Sequence, residues 1–247
     1  MFTITYYDVY LKDMEENSLI LINTQVAFNF AKPVLGPESL FVDINTAFDG
    51  LFGDNPTVNP VPFMGNDKRL LDTHVVIASS KDGLFDLKIA RGRIDLYRNA
   101  ETNESTYEDI HEELLSKVVK LFETIEAKVE VDWIAFINNF VFNGDKEISS
   151  DKLFNSSIVG INGGDTDTFF MRHANRFNIN GTLSNNQFSI GTGNAVKNGV
   201  DKIEGLIVTQ DFNSKPTTTT VDSDFIKAYI IEAKELIKID QLVELLK

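Results

Sequence analysis

The sequence predicts an α+β protein: a mostly antiparallel sheet with two long helices, about 106–124 and 223–246, packed on one of its faces. Three observations predict it. Segments rich in β-branched and aromatic residues recur along the chain, and two of their junctions carry the tight-turn dipeptides Asp82-Gly83 and Asn180-Gly181. Two further segments place apolar residues at helical spacing behind a capping residue. Finally, 43% of the 247 residues are apolar and 19 are Phe, with no Cys, so the chain can bury one large core without covalent staples. Residues 1–247 are accordingly expected to form a single compact unit.

The elements follow in order. Residues 2–11 and 18–31 suit extended structure, the second through Leu19-Ile-Leu-Ile-Asn-Thr-Gln-Val-Ala-Phe-Asn-Phe30. Pro33, Gly36 and Pro37 end that strand, and Leu40, Ile44, Ala47, Phe48 and Leu51 share the face of a short helix. Between 53 and 69, Gly53, Pro56, Pro60, Pro62 and Gly65 break any regular element. Thr73–Ser80 and Leu84–Tyr97 form a hairpin about Asp82-Gly83. In its second arm the apolar set changes parity, from Phe85, Leu87 and Ile89 to Ile94 and Leu96, which predicts a bulge at Gly92 that re-aims Arg91 and Arg93.

Ser105-Thr-Tyr-Glu108 has the form of a capping box, and Ile110, Leu114, Val118, Leu121, Phe122 and Ile125 make the stripe of the helix behind it. Val129–Ile137 is a strand covered on both faces at one end, and 149–156 a short helix. A second hairpin joins Thr168–Ile179 to Gln187–Ile190, and Lys202–Phe212 is a further strand. Asp222 or Ser223 caps the last helix, whose stripe is Phe225, Ile226, Tyr229, Ile230, Ala233, Leu236 and Ile237.

Three features recur at an offset of about 115 positions. Leu21–Lys32 resembles Phe136–Lys146, Asp82-Gly83 corresponds to Asn198-Gly199, and the helix near Thr106 corresponds to the one near Asp222. An internal duplication into halves 1–126 and 127–247 would place the two long helices side by side.

Charge narrows the function classes. With 23 Lys plus Arg against 37 Asp plus Glu, a net charge of −14, direct binding of nucleic acid or anionic lipid is disfavoured and a basic protein partner is favoured. The absence of Cys removes thiolate metal sites and cysteine nucleophiles. No apolar run approaches the ~20 residues that span a bilayer, and the opening residues form no signal peptide, so the expected location is cytoplasmic, without membrane. A homo-oligomer is compatible with this composition.

Candidate sites are few. Arg91 and Arg93, and Arg172 and Arg176, are spaced evenly on strands, so each pair is expected on one sheet face, where it could bind a carboxylate or phosphate or anchor an interface. Asp165 and Asp167 lie two apart in the glycine-rich segment 160–167 with His173 one strand-length on, an arrangement that could hold a divalent cation. His111, between an isoleucine and two glutamates, is expected to be solvated, and His74 opens a strand. No phosphate-cradling glycine loop, nucleophile elbow or zinc-protease motif occurs. The expectation is therefore a binding or regulatory protein without a cofactor, an inhibitor or immunity-type factor that uses its acidic surface. The alternatives are a metal-dependent enzyme acting on a phosphorylated or nucleotide substrate, and a nucleic-acid mimic.

Overall fold

A computed structural model describes residues 8–9, 18–60, 68–100, 106–143, 170–179, 181–197, 201–214 and 221–237. In chain order the elements are β1 (Asp8–Val9), β2 (Ser18–Phe30), α1 (Pro37–Ala47), β3 (Thr57–Val58), α2 (Lys68–Leu71), β4 (His74–Ser79), β5 (Phe85–Ala90) and β6 (Arg93–Asn99). Then follow α3 (Tyr107–Ile125), β7 (Val131–Asn143), β8 (Phe170–Ile179), β9 (Thr182–Lys197), β10 (Asp201–Ser214) and α4 (Ser223–Glu235). The helix expected at 149–156, Asp165, Asp167 and the helical stretch expected beyond 237 lie outside the described residues.

The expected fold class is corrected. The dominant element is one ten-stranded sheet in the order β1-β9-β10-β7-β2-β6-β5-β4-β3, with β8 also on β9, and every pairing except β1–β9 is antiparallel. Among the described residues, three helices of 11, 19 and 13 residues cover it in place of the two long ones expected. The last helix ends at Glu235 because Leu236 and Ile237 close a tighter turn, their amides bonding Ala233 and Lys234 oxygens. Helical spacing of Leu236 and Ile237 thus continues past the helix itself.

Strands are longer than apolar alternation alone indicates. β9 is 16 residues of mostly Ser, Asn, Thr and Gly, yet it pairs with β10 without a register shift from Ser184↔Ser214 to Lys197↔Asp201. Pairing on both sides supplies its backbone bonds, which side-chain pattern cannot reveal. The parity switch near Gly92 is not a bulge but a reversal of direction: β5 and β6 form a tight hairpin, with Ile89 facing Ile94. Gly92 fits closely there, since a Cβ would stand 3.2 Å from Leu71 Cβ and 3.4 Å from Leu71 O.

β2 and β7 form the central antiparallel pair. Across it the Asn139 Nδ2 donates to Asn23 Oδ1 at 2.8 Å, between residues 116 positions apart. Beyond β2 lie β6, β5 and β4; beyond β7 lie β10, β9 and β8.

One face of the sheet carries the core. Val26, Phe28, Leu87, Ile89, Ile94, Leu96, Phe136 and Phe212 pack beneath Ile44 of α1, Leu114, Val118, Leu121, Phe122 and Ile125 of α3, and Ile226 and Ile230 of α4. α3 sits between α1 and α4, and Phe122 meets Phe28 edge-on at 5.8 Å. Phe140, Phe142, Ile190, Leu206 and Val208 form a second, smaller cluster towards the other end of the sheet.

Candidate binding surfaces

The sheet face opposite the helices is polar, and its centre is one carboxylate. Asp95 on β6 has opposite parity to Ile94 and Leu96, so it leaves the core side of the strand. It is nonetheless fully buried, at 0% exposure. Gln25 Nε2 on β2 donates to its Oδ1 at 2.6 Å, and Arg93 reaches the same oxygen through Nε at 2.7 Å and a second nitrogen at 2.6 Å. His74 Nε2, at the start of β4, meets Oδ2 at 2.9 Å. Burial pushes the Asp95 carboxyl up, but the hydrogen bonds and charges of His74 and Arg93 outweigh it and hold the group below the ordinary carboxylate range. His74 reaches this face because β4 carries an irregularity between His74 and Val76, which lets His74 oppose Ala90 while Val76 opposes Ile89 in the core.

This constellation satisfies itself. Its donors converge on one carboxylate, which ties β2, β4 and β6 together. Further along the same face, Asp211 on β10 is pushed up by burial, while Asn213 Nδ2, donating at 3.0 Å, and the charges of Arg93 and Arg172 pull the other way.

The four arginines are thereby separated. Arg93 belongs to the Asp95 network and, with Arg172, lies within electrostatic reach of Asp211. Arg91 sits in the β5–β6 turn instead of on a strand, and its Nη1 donates to the Leu35 carbonyl at 3.0 Å, so it fastens the segment after β2. Arg172 and Arg176 are both on β8, both exposed, and on the same face as expected; Arg172 donates to Gln187 of β9. The expected cation site is not assembled from what is described: His173 is exposed and its Nε2 meets Asn175 Oδ1 at 2.9 Å. No group of three or more His, Asp or Glu that could hold a metal converges among the described residues.

The helical layer has the opposite character. α3 carries five carboxylates, Glu108, Asp109, Glu112, Glu113 and Glu123, against two lysines, and all five carboxylates are exposed. The lysines are engaged inside the layer: Lys117 and Lys120 lie 5.8 and 5.5 Å from the centre of the Phe48 ring, and Lys128 binds Asp43. Of the carboxylates, Glu113 accepts from Arg98 Nε at 2.7 Å and Asp109 closes the capping box with Thr106. Among the described residues no ion pair engages Glu108, Glu112 or Glu123.

His111 is not solvated. It is 3% exposed, with its ring 4.3 Å from Tyr107 and 5.0 Å from Phe136. Neither nitrogen makes a hydrogen bond of good geometry among the described residues, although the Asn138 amide lies near enough to act on the imidazole; the amide atoms of Asn138, Gln210 Oε1 and Tyr107 Oη likewise lack well-formed hydrogen bonds there. Burial, and then the Lys234 ammonium, pushes the imidazole down to about 4, with the neighbouring Asn138 amide opposing.

The sequence matches no protein-family model and no curated protein. The functional reading therefore rests on the residues themselves.

Sequence reasoning missed Asp95, Gln25, Asp211 and the burial of His111. For His111 a signal was present: it continues the buried stripe Tyr107, His111, Leu114, Val118, Leu121 and Ile125 at helical spacing. Asp95 offered little: Arg93 shares its strand face two residues away, but Gln25 and His74 come from strands 70 and 21 positions away.

Proposed function

We propose that this chain is a binding protein whose acidic helical layer docks on a basic surface of a protein partner. The observation that carries the reading is the exposed face of α3. Glu108 and Glu112 are a like-charge pair one turn apart on the same helix, and no ion pair among the described residues offsets either. Such a pair is unfavourable in an isolated helix. The positive end of the helix dipole offsets part of this at Glu108 and Asp109, but Glu112 and Glu123 lie beyond the first turn. An exposed row of carboxylates whose neighbouring lysines are engaged elsewhere attracts a cationic surface and accelerates its encounter. No helix among the described residues is long and apolar enough to cross a membrane.

The test compares capture of host proteins by the full chain and by its E108K/E112K/E123K variant. The reading predicts that a protein with a basic surface is retained by the first and lost from the second, and that its affinity falls as salt rises. Equal capture of the same partner by both would refute it.

A further inference from the structure

We propose that β8 is a docking edge for an extended, acidic segment of a partner protein, which adds to the sheet as a further strand beside it. This goes beyond the helical-layer reading and does not rest on it.

β8 runs for ten residues and pairs with β9 in unbroken register, from Phe170↔Gly191 to Ile179↔Thr182. No strand among the described residues pairs with its other side. About half of its N–H and C=O groups therefore point away from β9, as on any edge strand. Residues 172–176 and Asn178 are exposed, so this side is reachable. Sheet edges are ordinarily made short, or blunted with proline, charged side chains or a bulge. The opposite edge follows that rule, since β3 is two residues long. β8, with the sequence Phe-Met-Arg-His-Ala-Asn-Arg-Phe-Asn-Ile, is ten residues long with no proline and no register shift, and its only guard is the pair Arg172 and Arg176, whose like charge repels a cationic strand and admits an acidic one.

Charge selects the occupant. β8 and β9 together contain no Asp or Glu, although the chain as a whole has 37. Arg172 and Arg176 occupy the same side of β8 four residues apart, on the polar face of the sheet. An added strand with carboxylates at matching alternate positions would set them against these guanidinium groups, as opposite charges on neighbouring strands favour. The same arginines disfavour a second copy of the chain, because antiparallel pairing of β8 with β8 would crowd four guanidinium groups together.

The probe is a synthetic peptide of about ten residues that alternates glutamate with valine, labelled for fluorescence anisotropy against the full chain. Two controls accompany it: the same peptide with lysine for glutamate, and the acidic peptide N-methylated at alternate residues, which keeps its charge but cannot pair along that edge. The acidic peptide should bind at least about tenfold tighter than either control, and R172E/R176E should weaken it by a similar factor. Circular dichroism should show that the variant keeps its fold, both residues being exposed. Hydrogen exchange should slow at alternate amides within Phe170–Ile179 when peptide is added. Equal binding of the N-methylated peptide would reduce the effect to charge alone and overturn the proposal. So would failure of the acidic peptide to bind, unchanged exchange in β8, or protection of β8 that rises with protein concentration without peptide, which would make a second copy the occupant.

Discussion

Replacing His111 with Phe should remove most of the protein's loss of stability between neutral and mildly acidic pH. In the fold the imidazole is held neutral, titrating at about 4 against an ordinary value of 6.5. Between those values the unfolded chain binds a proton at this site and the native chain does not. A histidine depressed in this way therefore contributes stability that is intact above about pH 6.5 and falls as the pH drops to about 4. The slope is about 1.4 kcal/mol per pH unit, so the window amounts to about 3 kcal/mol. Phe retains the ring between Tyr107 and Phe136 and removes two nitrogens that make no well-formed hydrogen bond among the described residues. At pH 7 the change should stay within about 1 kcal/mol, with lost contacts to Asn138 set against the removal of buried polar atoms. Urea unfolding at a series of pH values, followed by the fluorescence of the single Trp, Trp133, and by circular dichroism, measures the difference directly. Other groups with shifted values, such as Asp211 and Asp132, are common to both proteins and cancel. Parallel stability curves for the two proteins from pH 6.5 to 4 would refute the reasoning.

Asp95→Ala strands the donors of Gln25, His74 and Arg93 and should cost about 3 kcal/mol in urea unfolding, while Asp95→Asn keeps an acceptor and should cost about 2. Because the Asp95 carboxyl is depressed, its contribution is complete above the ordinary carboxylate range and is lost as pH falls through its own lower value. The Asn variant should accordingly flatten the stability curve below about pH 4, outside the His111 window. Gly205→Ala places a Cβ 2.8 Å from the Phe142 carbonyl oxygen and should lower the thermal midpoint by forcing β10 away from β7, a loss of about 2 kcal/mol. Thr106→Ala removes the cap that accepts from the Asp109 amide and should cost about 1 kcal/mol, with Thr106→Ser restoring most of it.

Local physics carried some of this structure into the sequence and tertiary physics withheld the rest. β2 and β7 were legible because β-branched and aromatic residues fill them, and α3 because its apolar stripe has a 3.6-residue period. The cap itself lies one residue later than the sequence suggests: Ser105/Glu108 and Thr106/Asp109 both fit the pattern, and the fold uses the second. The β5–β6 hairpin was hidden because a bulge and a chain reversal both switch apolar parity, and Arg91-Gly92 is not one of the usual turn dipeptides. β9 was hidden because its strand character comes from its neighbours. At the candidate surfaces, the shared face of Arg172 and Arg176 followed from spacing alone. The pairing of Arg93 with Asp95, two residues apart on one strand, was open to the same spacing argument, whereas the arrival of Gln25 and His74 was not, because it depends on which strands the sheet makes adjacent.

The proposal that the acidic helical layer is the binding surface is tested most directly by labelling carboxylates with a water-soluble carbodiimide, with the captured partner present and absent. Glu108, Glu112 and Glu123 should lose reactivity in the complex, while Asp86, on the far side of the sheet, should react as before. Unchanged labelling along α3, with protection confined to that far side, would contradict it.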